Sequence, residues 1–214
     1  MRISAAAVFL AGAGAVLGQV ANHSVEVTIE RMESGAWKPS DPRTVFRPKD
    51  EVRFQFRSSF DGYLYVLNRA SSGQYMWLYP SQEAGTDNRV QPNHSYVIPS
   101  TNGAFAIPDS PGFDVVYWVL SPTELRDLAL PQPDTSAKST LIPRCRESEL
   151  RARGGCLDDA AGARVPDTLP KPLQATSPLR GRELKVDRKP SSSHIRFNGM
   201  SGHSLVYEFW IAHR

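Results

Sequence analysis

The chain has 214 residues and a formal net charge of +3. That is enough for one ordinary domain or two small ones, and so small a charge does not suggest a nucleic-acid or polybasic membrane binder, since phosphate contacts need clustered cations. Hydrophobic residues make up 40% and charged residues 22%, a globular balance with enough apolar mass to bury a core.

The N-terminus reads MRISAAAVFLAGAGAVLGQV. Arg2 precedes an uncharged, Ala-rich run from Ala5 to Leu17. The run is short of the ~20 apolar residues that span a bilayer and fits the three-part plan of a secretory signal peptide. The signal peptide is placed at 1–18, with cleavage after Gly18 or, as second choice, after Ala21. The alternative is an anchor that stays uncleaved. No cysteine follows the run, which excludes lipid attachment at a mature N-terminal cysteine. The expectation is an exported protein, periplasmic or extracellular, with no transmembrane segment in the mature chain.

VEVTIERM (25–32) alternates strictly, with Val25, Val27 and Ile29 to one side and Glu26, Thr28 and Glu30 to the other; this predicts a half-buried strand. Turn residues gather around Trp37, followed by a short extended piece at 44–46. EVRFQFRS (51–58) alternates again, Val52, Phe54 and Phe56 inward and Glu51, Arg53, Gln55 and Arg57 outward. GYLYVLN (62–68) is apolar on both faces, the mark of a central strand covered on both sides. NRASSG is a hairpin connection in which Gly73 suits a positive φ. QYMWLY (74–79) returns and Pro80 ends it, because proline cannot donate to the ladder. A polar loop leads to two short strands, SYVIP and GAFAIP, around the turn STNG. PGFDVVYWVLS is long and again apolar on both faces. Pro122 then opens PTELRDLAL, where a proline at the first helical position and acids in the first turn predict a short helix.

From 131 to 193 prolines recur, apolar periodicity disappears, and Arg and Lys are frequent. The segment reads as a long loop or disordered insertion, partly relieved by an amphipathic turn at ESELRA (147–152). It contains both cysteines of the chain, Cys145 and Cys156. In an oxidising compartment a lone pair forms a disulfide, worth about 3 kcal/mol on the loop-entropy account; a redox pair or half a metal site is the alternative. Residues 194–214 carry HIRFNG and HSLVYEFWIAHR. In the latter, Leu205, Tyr207, Phe209 and Ile211 oppose Val206, Glu208, Trp210 and Ala212, a closing strand. The expected fold is all-β: an immunoglobulin-like antiparallel β-sandwich of about eight strands with one or two short helices. Residues 22–130 form the sandwich, 131–193 the Pro/Arg-rich insertion, and 194–214 the strand or strands that complete it.

In order, the elements Phe46, Pro48 and Asp50; Asp61 to Asn68; Gly73; Leu78, Tyr79 and Pro80; Asn88 and Val90; Ile98 and Pro99; and Pro111 and Gly112 form a pattern. It resembles an uncharacterised bacterial family of domains of unknown function, patterned DGYLYVLN, Gly, L-F/Y-P, N-x-V, IP and PG. The resemblance covers about residues 40–121 and, more weakly, 204–213. Family members are exported or envelope-associated, or appended to peptidases and kinases, which implies a binding or accessory module. The family has no established functional residues to carry over. This chain departs from it in having no partner domain and in its long insertion.

On strict alternation Tyr75, Trp77 and Tyr79 share one face of their strand, and Met76 and Leu78 the other. With Tyr63, these aromatics either belong to the core, are covered by 131–193, or form an exposed platform for sugars or peptides. SGHSLV places Ser204 after Gly202 and His203, a partial echo of G-x-S-x-G. Val206 replaces the second glycine, and a strand stands where a nucleophile elbow needs strand, turn and helix. His23, His94, His194, His203 and His213 lack the i, i+2 or i, i+4 pairing that ligates zinc and read as solvent-exposed. Asp87 with Asn88, and Asp158 with Asp159, lack the calcium-loop plan and read as turn residues. No phosphate-binding glycine motif occurs. RCRESELRARGG is basic on one side but diluted by Glu147 and Glu149, and reads as a solvated helix.

The expectation is therefore no catalytic residue, no metal, no cofactor and no nucleic-acid partner. The chain reads as an exported, non-enzymatic binding or interaction module of the bacterial cell envelope, taking an unknown envelope protein or glycan. Tyr63, Tyr75, Trp77 and Tyr79 are the candidate ligand-binding residues. A hydrolase using Ser204 and a histidine, and a structural subunit of an envelope assembly, are the competing readings.

Overall fold

The computed structural model describes residues 22–133, 141–145, 155–179, 183–199 and 202–214. The signal peptide expected at 1–18 with its cleavage sites, and the amphipathic turn expected at 147–152, lie outside the described residues.

The protein is an all-β sandwich of two seven-stranded sheets. In the first sheet β12 (Leu184–Arg188), β13 (Ser193–Asn198), β1 (Asn22–Glu33), β4 (Glu51–Ser58) and β8 (Ser95–Ile98) lie side by side; β2 (Ala36–Pro39) pairs with β1, and β9 (Phe105–Ala106) with β4. The second sheet runs β11 (Gly162–Arg164), β14 (Leu205–His213), β10 (Gly112–Ser121), β5 (Gly62–Arg69) and β6 (Tyr75–Tyr79); β3 (Val45–Phe46) pairs with β14, and β7 (Arg89–Val90) with β5. Pairing between the named strands is antiparallel except between β3 and β14.

Side-chain alternation builds the core. Val25, Val27 and Ile29 of β1 and Val52, Phe54 and Phe56 of β4 meet Leu64 and Val66 of β5, Val116, Trp118 and Leu120 of β10, and Leu205, Tyr207 and Phe209 of β14. Trp118 lies at the centre, stacked on Phe56 at 5.6 Å and edge-on to Phe54 at 5.2 Å between ring centroids. β5 and β10 are central strands with both faces buried, as their unbroken apolar runs predict. The first residue of β5 packs tightly: a Cβ on Gly62 would sit 2.6 Å from the Ser121 carbonyl oxygen. That contact gives the glycine of DGYLYVLN a physical reason. Gly73 turns the β5–β6 hairpin at φ +86°.

Three local expectations differ from the fold. Residues around Trp37 are not only turn: Ser34 and Gly35, with φ of 51° and 82°, reverse the chain so that β2 pairs back along β1 from Glu33↔Ala36 to Glu30↔Pro39. Residues 122–130 do not form the predicted helix. The Leu125 N–H donates to the Tyr65 hydroxyl at 2.7 Å and that hydroxyl donates to the Leu125 carbonyl at 3.3 Å, which takes both groups from an i, i+4 ladder, and Asp127 has φ 57°. The insertion is not only loop. Its described residues include β11, the four-residue helix α1 (Lys171–Gln174) and β12, which extends the first sheet beyond β13. These short pieces, with β2, β3, β7 and β9, raise the strand number to fourteen among the described residues.

Candidate functional site

The two outer faces of the sandwich are unlike. That of the first sheet is polar and carries cross-strand contacts: ion pairs of Arg53 Nε with Glu30 at 2.6 Å and Arg57 with Glu26 at 3.2 Å, and His194 Nε2 at 3.1 Å from Glu26. These follow from register, since Glu30 faces Arg53, and Glu26 faces both Arg57 and His194.

The outer face of the second sheet is aromatic and largely covered. Tyr65 and Leu67 of β5, Val115, Tyr117 and Val119 of β10 and Val206 of β14 form one buried cluster with Leu173 of α1. Tyr63, Tyr75 and Trp77, with Leu125, Leu128 and Leu169, pack against it partly buried. Residues 122–128 and 165–175 thus lie over the sheet, so the insertion does cover part of the aromatic face. The four candidate residues do not share a surface. A bulge pairs Val66 with Tyr79 but Leu67 with Trp77, leaving Leu78 extra. Alternation therefore breaks at that point. Tyr75 and Trp77 stay on the outer face, Trp77 edge-on to Tyr65 at 6.5 Å, whereas Tyr79 turns into the sandwich core with Leu78. The Tyr79 hydroxyl donates to the Asp87 carbonyl. Met76, between Tyr75 and Trp77, is 56% exposed.

Glu208 is the buried acid of this outer face. Burial pushes its carboxyl up, opposed by the Trp210 indole N–H, which donates to it at 2.7 Å, and by Arg164 and Arg69. The Arg164 guanidinium stacks 4.4 Å from the Trp210 ring centre. An acid with a raised folded pKa supports the fold fully below its unfolded value, near 4.3, and loses that support as pH rises through the folded value. Glu208→Gln should therefore raise the melting temperature at pH 7 by about 2–4 °C. The gain should shrink towards zero as a calorimetric series descends below about pH 4; a gain that grows on acidification would contradict this assignment.

Sequence spacing missed one polar constellation. His213 is fully buried rather than solvent-exposed. Its Nε2 lies 3.2 Å from Asp114 Oδ1, which also accepts the Ser71 N–H at 2.9 Å, and the Asn68 amide reaches Asp114 Oδ2 at 3.5 Å. His213 and Asp114 are 99 residues apart, so no local motif signals them. Ser204 is 1% exposed, and its neighbour His203 directs Nδ1 at the Ser177 carbonyl, 3.0 Å away. Asp158 behaves as a turn residue, accepting the Ala160 and Arg144 N–H groups at 2.8 and 2.6 Å. Cys145 and Cys156 form a disulfide with Cα atoms 5.3 Å apart. No group of three or more His, Cys, Asp or Glu side chains placed to hold a metal occurs among the described residues. No helix among them is long and apolar enough to cross a membrane.

These features define a class: a two-sheet β-sandwich with one polar and one covered aromatic outer face. Residues 45–124, from β3 to the segment that follows β10, match a family described as a domain of unknown function, DUF4384. No curated protein and no solved structure matches the chain.

Proposed function

We propose that this chain is an exported, non-enzymatic binding module of the bacterial cell envelope, and that its ligand contact is the run Tyr75–Met76–Trp77. The observation that carries the reading is Met76, 56% exposed on the last strand in the order of the second sheet. The aromatic face beside it is packed under residues 122–128 and 165–175. The Met76 thioether is unbranched and polarizable and offers adaptable apolar contact, on the strand face opposite the Tyr75 and Trp77 rings. The export half of the reading rests on the leader at 1–18.

The test is retention of envelope proteins and glycans from a solubilised envelope extract by immobilised 19–214 protein, compared with Met76→Asp. Met76 is an exposed side chain, so the variant should keep its stability to within about 0.5 kcal/mol. The ligand that the unaltered protein holds should fall by about tenfold or more, roughly the effect of one central contact. Trp77→Ala is the less clean probe, since that ring packs on Tyr65. Equal retention by both proteins would remove the site, and labelling of Ser204 by a serine-reactive probe would replace the reading with a hydrolase.

A further inference from the structure

We infer that the region of the sandwich around the Cys145–Cys156 disulfide docks on a lipid bilayer with anionic headgroups. Leu141 and Ile142 are 53% and 66% exposed, two adjacent aliphatic side chains held out from the fold. The segment that bears them is tied to the body twice: by the disulfide and by the Arg144 N–H donated to buried Asp158 at 2.6 Å. Beside this anchorage the fold gathers cations from distant parts of the sequence. Arg31, Arg47 and Arg214 line, with Cys156, a cavity of about 320 Å³, and Arg214 Nη1 lies 3.6 Å from Cys145 Sγ. Backbone bonds hold the parts together, Val45 N–H to the Cys156 carbonyl at 2.8 Å and Arg214 N–H to the Phe46 carbonyl at 3.1 Å. Glu33 and Asp50 also line the cavity, but both are engaged with Arg31. Arg47 and Arg144 give only their backbone N–H groups to carboxylates, those of Asp50 and Asp158, and the guanidiniums of Arg47, Arg144 and Arg214 have no carboxylate partner among the described residues.

Guanidiniums without a carboxylate partner among the described residues, near the disulfide that anchors an exposed aliphatic pair, match an anionic bilayer surface. The aliphatic side chains enter below the headgroups, and the guanidiniums meet the phosphates, each strengthening binding about fivefold near an anionic leaflet. A nucleic acid or acidic glycan would satisfy the arginines but offers no apolar medium for Leu141 and Ile142, so the bilayer is the occupant. The residues are separate from the proposed ligand run on β6, and either proposal can fail without the other.

The experiment is co-sedimentation of the 19–214 protein with vesicles of phosphatidylglycerol and phosphatidylcholine, against phosphatidylcholine alone. Binding to the anionic vesicles should be on the order of a hundredfold stronger for the three arginines Arg47, Arg144 and Arg214, and should weaken between about 0.1 M and about 0.5 M salt. Two double variants, Leu141→Ser with Ile142→Ser and Arg144→Glu with Arg214→Glu, alter exposed side chains, and circular dichroism checks that each folds. Each should lose about tenfold or more of the binding. Three results would overturn the inference: no sedimentation with either vesicle, equal sedimentation with both, or binding that the serine variant retains and soluble heparin abolishes equally. The last would mark a general polyanion site.

Discussion

Trp118→Ala should cost the fold about 3–5 kcal/mol, the range for emptying a large aromatic site in a packed core. Trp118 is fully buried. Its ring stacks on Phe56 from the first sheet and on Tyr207 from the neighbouring strand, with planes within 10° and 6° of parallel, and it meets Phe54 edge-on. Removing it would leave a cavity where the two sheets meet, with no flexible side chain among those ring contacts to refill it. Trp118→Phe should behave differently. The indole Nε1 has no hydrogen-bond partner among the described residues, and a buried unpaired N–H costs about 1–3 kcal/mol that the phenyl ring does not incur. The phenylalanine variant should therefore lose less than half of what the alanine variant loses in chemical denaturation. Equal losses, or an alanine loss below about 1 kcal/mol, would mean that Trp118 is not the centre of the core.

The second large effect is alkaline unfolding. Burial pushes the Tyr79 hydroxyl up to about 12, with Asp87 and Tyr96 adding to it. It also raises Tyr117, with Glu208 and Tyr75 adding and Arg69 opposing, and raises the wholly buried Tyr207 well above the usual range. A tyrosine whose folded pKa is raised keeps its proton after the unfolded chain has lost it. Its contribution is intact below about pH 10, and stability declines as pH rises beyond that value. Each such proton weakens the fold by about 1.4 kcal/mol per pH unit, so three together give about 4 kcal/mol per unit until the first of them ionises in the fold. By about pH 12 the loss reaches about 8 kcal/mol, enough to unfold cooperatively a domain in the lower half of the usual 5–15 kcal/mol stability range. Tyrosinate absorbance and near-ultraviolet circular dichroism, followed together, check this: ionisation of these three should accompany loss of tertiary signal rather than precede it. Tyr207→Phe removes one of the three protons and should move the midpoint to higher pH. Full tyrosinate absorbance with an unchanged tertiary signal would refute the burial of these hydroxyls.

The Asp114–His213 pair gives the interior of the second sheet a polar end. It lies within the strand ladder, where Gly112 faces His213 and Asp114 faces Ile211. The inward-facing positions of β5, β10 and β14 that are apolar along the core become Asn68, Asp114 and His213 at this end, and the Asp114 carboxylate gathers the Ser71 N–H as well. This cluster ties the β5–β6 hairpin to the last residue of β14.

Most of the sandwich is legible residue by residue. The inward and outward sets of β1, β4 and β14 match the alternation in their segments because a pleated strand turns successive side chains to opposite faces whatever surrounds it. The doubly apolar runs of β5 and β10 likewise announce central strands. Contacts between strands obey no such local rule. The bulge at Leu78 separates Tyr79 from Trp77, since it arises where β6 fits its neighbour β5. β12, with Leu184 inward and Lys185 outward, has only Leu184 and Val186 as apolar residues amid a Pro- and Arg-rich segment and exists as a strand by pairing with β13. The helix expected after Pro122 yields to the Tyr65 hydroxyl, 60 residues away in sequence. A small overall charge of +3 conceals the arginines that meet around the disulfide, because charge adds along the chain without regard to distance, whereas a binding surface depends only on which side chains the closed sheets bring side by side.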